Sequence, residues 1–156
     1  YLCPQVGEST LNVDSPAVFL PVTVAHELAH QRGVAAEQEA NFVGVMAATA
    51  GGNAACQYSG WLSGYLHLSN ALYSADPDLA RASYAALCAE AQADMADNNA
   101  YWKQWEGPVK ETGEKVYTAF LQGYGQELGM RSYGACVDLL VEEFLPYSTT
   151  GGLTAE

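Results

Sequence analysis

Two of the three histidines in this 156-residue chain stand four residues apart, within the stretch VTVAHELAHQRGVAAEQEANFVGVMA at positions 22–47. On a helix, His26 and His30 lie one turn apart on one face. Two imidazoles so placed can ligate a single metal ion, each at about 2.0–2.1 Å. Glu27 points about 100° further round the axis. From there it reaches a water on the ion rather than the ion itself. Two ligands and one general base on one helical turn is the logic of HExxH. The bland alternative is a solvent-facing helix that happens to carry polar residues. Against it stand the scarcity of histidine and the apolar or small neighbours Val22, Val24, Ala25, Leu28 and Ala29. A helix with such flanks is largely buried, and unpaired histidines there are costly.

A catalytic zinc site takes three protein ligands and keeps a fourth position open for water. A third histidine six residues after His30 would complete one known pattern, but Ala36 stands there. The candidates for third ligand are Glu37 and Glu39, at the start of the next helical pattern. Gly33 lets the chain reverse, so that this second helix can lay its first turn beside the histidines. Glu37 and Asn41 share a face. A ligand histidine needs its other ring nitrogen held by an acceptor, which makes Asn41 a candidate support. His67, in GYLHLSNAL, reads as a helix-face residue rather than a ligand.

HExxH followed by Glu37-Gln38-Glu39-Ala40-Asn41 resembles the gluzincin metallopeptidases. The resemblance implies zinc, Glu37 as third ligand and Asn41 as support for a ligand histidine. The connection from His30 to Glu37 is short for that group, and Glu39 stays open as the alternative. A longer series, HELAHQRG, EANF, YSGWL and RSYGACVDLL in that order, resembles a bacterial family known as domain of unknown function 3810. That resemblance implies a membrane-anchored zincin with transmembrane helices ahead of the HExxH domain. The 156 residues would then be a fragment without its anchor, facing outside the cell. The family supplies no substrate.

The elements that must position these residues are helical. Pro21 suits a first turn, and a helix is expected to run to about Arg32, with Gly33 as its stop. A second spans about Ala35 to Ala50. YSGWLSGYLHLSNALY reads as a third. Asp76-Pro77 is an N-cap with proline at the first helical position. It opens a fourth helix that reaches Trp105, with DNN as its weak point. GEKVYTAFLQGYG is a shorter helix, and Ser132 caps a last one ending at Pro146. The one strand-like piece is Ser9–Val13, STLNV, expected to border the cleft and to dock an extended peptide. The expected fold is mainly α, a zincin-like helical domain of residues 1–147 with the HExxH helix on the glutamate-bearing helix. A loose tail of residues 148–156 follows.

Composition bounds the function. Hydrophobic residues are 49% of the chain and charged residues 15%, too apolar for disorder. The formal net charge is −12. A phosphate backbone is repelled by it, so nucleic acid is excluded as a partner. The acidic surroundings favour neutral or basic peptides. The chain starts without Met or a basic leader, and no apolar run reaches the roughly 18 residues of a membrane span. Cys3, Cys56, Cys88 and Cys136 form no CxxC pair. They fit either two disulfides or buried free thiols.

Tyr133 or Arg131 is placed to hold the oxyanion across the cleft, as a tyrosine often does in zinc hydrolases. Tyr58 is a weaker candidate for that role. Trp102 and Trp105 read as packing residues. Asp94 and Asp138 stand in apolar helices, where they can cap, pair with an arginine or hold a ligand histidine. No GxSxG, P-loop, GxGxxG or EF-hand pattern occurs. The expected function is zinc-dependent peptide hydrolysis with Glu27 as base. The alternative is a non-catalytic zinc-binding or interaction domain of a membrane-anchored protein.

Overall fold

The computed structural model describes residues 2–3, 8–104 and 133–149. The expected helix over residues 113–125 and the residues Arg131, Ser132 and Trp105 lie outside them. So does the tail from residue 150. The described chain is mainly α. Two short antiparallel strands, β1 (Leu2–Cys3) and β2 (Glu8–Ser9), precede it and pair with Leu2 opposite Ser9. A single 3-10 turn, Ala17–Phe19, leads into α1 (Leu20–Gln31). Then come α2 (Glu37–Thr49), α3 (Ala54–Ala75), α4 (Pro77–Ala85), α5 (Ala89–Lys103) and α6 (Tyr133–Thr149).

Local chemistry sets these boundaries. Pro21 stands at the start of α1, where its missing N–H costs nothing. At the other end, Gly33 adopts φ +94°. Gly33 N–H donates to the His30 carbonyl and Val34 N–H to the Ala29 carbonyl. This pair of bonds is the Schellman motif, which needs a left-handed residue at the glycine position. Asn53 caps α3, its Oδ1 accepting from Cys56 N–H at 2.8 Å. That cap starts the helix four residues before Tyr58, earlier than YSGWL suggests. Asp76 caps α4 as expected, accepting from the N–H groups of Asp78 and Leu79.

Three further boundaries differ from expectation. The strand is Glu8–Ser9, not Ser9–Val13. Asn12 ends it: its Oδ1 accepts from Asp14 N–H at 3.0 Å, and its amide donates to the Tyr101 hydroxyl at 2.8 Å. An Asx turn has displaced the strand that Val13 favoured. The long fourth helix is two helices, broken at Ala86–Cys88 rather than at DNN. Asn98 stays helical because its side chain is used: Oδ1 accepts from the Trp102 indole at 3.1 Å. Pro146 lies inside α6, which continues to Thr149, so Ser148 and Thr149 belong to the helix and not to a tail.

Among the described residues the core has two parts joined at Phe19. Val22, Val45, Ala48, Cys136 and Leu140 bring α1, α2 and α6 together. Leu62, Ala91 and Met95 hold α5 on α3. Each fully buried side chain of the size of Val45 or Leu140 contributes about 1.5–3 kcal/mol. The thiols of Cys56, Cys88 and Cys136 are free, which removes the two-disulfide framework. Among the described residues, no helix is long and apolar enough to cross a membrane.

Candidate metal centre

α1 and α2 form a hairpin whose helices approach closely. Gly44 decides the distance. A Cβ there would lie 3.1 Å from His26 N and 3.2 Å from His26 Cα. Ala40, one turn earlier on α2, is fully buried. Glu37 stands two turns before Gly44 on that same face. The small residues at 40 and 44 therefore draw the start of α2 against the middle of α1, and Glu37 arrives beside the two histidines.

The resulting group is tight. His26 Nε2 and His30 Nε2 are 3.0 Å apart. Glu37 Oε2 is 3.3 Å from His26 Nε2 and 3.6 Å from His30 Nε2. The two rings meet edge to face, with centroids 4.6 Å apart. These three residues offer one ligand atom each, close enough together to hold a metal ion. Glu39, the alternative third ligand, points to solvent and is exposed.

His30 is held by the backbone. Its Nδ1 lies 2.7 Å from the Val34 carbonyl oxygen. A carbonyl only accepts, so Nδ1 carries the proton and Nε2 keeps its lone pair. The sequence reading assigned such support to Asn41. Among the described residues Asn41 makes no hydrogen bond to either histidine, and Val34 serves His30 instead. The signal for this was present in Gly33-Val34, since the Schellman turn folds the Val34 carbonyl back over the last turn of α1. The role of Gly44 was missed too. Its signal is a glycine two turns after Glu37, inside a helix that has no other use for one.

Glu27 is buried, with 7% of its surface exposed. Gln31 follows it by one turn on α1, and the Gln31 amide donates to Ser9 Oγ at 3.1 Å. The segment carrying β2 thus lies along the Glu27 side of α1. His67, on α3, is half-buried. Burial pushes its imidazole below the ordinary histidine range, and the charge of His26 pushes it further. Tyr58 is turned elsewhere: its hydroxyl donates to Asp94 Oδ2 at 2.7 Å. Burial, then that bond, raises the phenol to about 12. Asp138 is exposed, and Trp102 is half-exposed, with its ring edge to face against that of Tyr101, centroids 5.1 Å apart. Tyr133 is the first residue of α6; its side chain lies outside the described set.

Over residues 1–141 the chain matches a family model described as Protein of unknown function (DUF3810). The chain belongs to the DUF3810 family. The matched span contains α1 to α5 and most of α6, and with them His26, Glu27, His30 and Glu37. No curated protein and no solved structure matches this DUF3810 chain.

Proposed function

We propose that this DUF3810 chain is the catalytic domain of a gluzincin-type zinc metallopeptidase. The observation that carries the reading is the meeting of His26, His30 and Glu37, with Glu27 on the same helical turn as the histidines. Two donors about 2.0–2.1 Å from one tetrahedral zinc stand about 3.3 Å apart. The separations of 3.0, 3.3 and 3.6 Å bracket that value. Two histidines and one glutamate are a donor set of catalytic zinc sites, and three protein ligands leave one position open. Zinc held there supplies a Lewis acid that acidifies water and polarises a carbonyl.

The chain's own residues do the rest. Glu27 takes the proton of the attacking water and passes it to the leaving amine. Tyr133 or Arg131 donates to the charge that develops on the carbonyl oxygen. An extended peptide or protein segment runs beside β2, where main-chain hydrogen bonds give affinity. The net charge of −12 selects neutral or basic sequences over acidic ones. Anchoring to a membrane, with this domain on the extracytoplasmic face, is part of the same proposal and uses a segment outside these residues.

The test is hydrolysis of a randomised peptide library, read by mass spectrometry. The expected result is cleavage that stops with a chelator and returns with added zinc. Cleavage that survives the chelator, or a zinc-loaded protein that cleaves nothing, overturns the enzyme reading.

A further inference from the structure

Between α3, α4 and α5 lies an open cavity of about 310 Å³. That is within the range of small-ligand pockets, about 300–1,000 Å³. Tyr65, Ser69 and Tyr73 of α3 line it at the spacing of one helix face. Gly60 and Gly64 lie on another face, where α3 meets α2. The cavity is therefore on the far side of α3 from the α1–α2 hairpin that carries the candidate metal centre. Its floor is apolar: Ala80 and Met95 are buried and Leu66 is half-buried. Two tyrosines among its walls are tied down. The Tyr65 hydroxyl accepts from Ser83 Oγ at 3.5 Å, and the Tyr84 hydroxyl donates to the Gln92 carbonyl at 3.0 Å. Ser69 and Ala80 are small and leave the space between the rings open.

The charge of this cavity runs against that of the chain. Asp and Glu number eighteen against six Lys and Arg, yet the only charged residue lining the cavity is Arg81. Arg81 Nη1 donates to Asp78 Oδ1, but the two side chains are 64% and 94% exposed. An exposed pair of this kind contributes little, so the guanidinium can turn to another anion. Its fork matches a carboxylate with two parallel N–H bonds. Asn70 of α3 and Asn99 of α5 also line the cavity. Among the described residues their side-chain amides make no hydrogen bond to protein. Each amide offers both a donor and an acceptor, which is what a peptide group needs. A carboxylate, a peptide group and an apolar side chain occur together at the carboxyl end of a peptide.

We propose that the cavity between α3, α4 and α5 binds the carboxyl terminus of a peptide: Arg81 takes the carboxylate, Asn70 and Asn99 take the last peptide group, and the floor of Leu66, Ala80 and Met95 takes an aliphatic or aromatic side chain. The exposed ring of Tyr73 adds contact area at the rim. The site stands apart from the metal reading and needs no metal.

The experiment titrates the metal-free, 15N-labelled 156-residue chain with three probes: N-acetyl-Gly-Phe, its carboxamide, and 3-phenylpropionate, which has the acid and the ring without the peptide group. Amide shifts report the affinity and the place. The expected result is saturable binding of N-acetyl-Gly-Phe with shifts confined to α3, α4 and α5. The carboxamide binds roughly 10–100-fold more weakly, the share of hydrogen bonds to a charged group. Arg81→Gln removes the difference between acid and carboxamide, and Asp78→Asn, which frees the guanidinium, tightens the acid. Ser69→Phe, which fills the cavity, abolishes binding, whereas Arg32→Gln, on the other side of the molecule, leaves it unchanged. No binding, equal binding of acid and carboxamide, or an Arg81→Gln variant that behaves as the wild type overturns the site. 3-Phenylpropionate binding as tightly as N-acetyl-Gly-Phe overturns the peptide assignment in favour of a simple acid. None of these outcomes touches the metal reading, because no metal is present.

Discussion

The carbonyl oxygen of Val34 accepts the Nδ1 proton of His30 at 2.7 Å, from only four residues further along the chain. The turn at Gly33 that ends α1 is thus also the device that orients one imidazole of the candidate metal centre. Helix termination and ligand orientation are a single local event here, and they can be perturbed together.

Gly33→Ala tests that coupling. Gly33 sits at φ +94° with open space around the position of a Cβ. The cost is therefore backbone strain alone, about 1–2 kcal/mol. The expected outcome is a melting temperature lower by a few degrees and a weaker affinity for zinc. Calorimetry and chelator competition check it. A loss of stability with unchanged zinc affinity would separate the turn from the site.

Gly44→Val tests the approach of the two helices. Even one Cβ there would stand 3.1–3.3 Å from backbone and Cβ atoms of His26, and a branched side chain has nowhere to go. Overpacking of this kind costs about 1–3 kcal/mol. The helices separate at the level of His26, Glu37 shifts, and zinc affinity falls further than stability alone accounts for. The check is metal content beside thermal unfolding; full zinc occupancy in a destabilised variant would contradict it.

The ligand register is tested by metal stoichiometry. Wild type is expected to hold one zinc per chain. His26→Ala and Glu37→Ala lose it, while Glu39→Ala keeps it, because Glu39 is exposed and stands outside the ligand group. Elemental analysis after dialysis reads the result. Zinc retained in Glu37→Ala but lost in Glu39→Ala would move the third ligand.

Glu27→Gln separates binding from chemistry. The amide keeps the shape of the carboxylate and cannot take a proton. Zinc content is expected to stay at the wild-type level while peptide hydrolysis falls by about 10²–10⁴-fold. Equal rates in the two proteins would remove Glu27 from the role of base.

Thiol labelling at pH 8 tests the packing of α6. Cys136 is fully buried, and burial raises its thiol to about 11. Cys88 is exposed. Thiolate is the reacting form, and burial and a raised thiol both disfavour Cys136. Iodoacetamide is expected to modify Cys88 readily and Cys136 only on unfolding. Fast modification of Cys136 in the native protein would mean that α6 does not sit on the core as described.

The sequence by itself determined the local features. His26, Glu27 and His30 are set by helical spacing, the α1 stop by Gly33, and the α4 start by Asp76-Pro77, because each depends only on near neighbours. The helical class followed from the apolar periodicity for the same reason. Side-chain competition for backbone groups was less legible. Asn12 turned a β-favouring stretch into an Asx turn, and Asn98 stayed in its helix by binding Trp102.

Tertiary structure decided the rest. Glu37 and Glu39 are two residues apart and chemically identical, and only the face on which α2 meets α1 distinguishes them. That face is chosen by volume: Ala40 and Gly44 allow close approach, and Glu37 lies in line with them. How α3 lies against α1 and α2 depends on the registers of three helices at once, fixed by Ser59, Gly60 and Gly64. Spacing along a chain reports which residues share a helix face, whereas which faces meet is settled by the fit of side chains far apart in sequence.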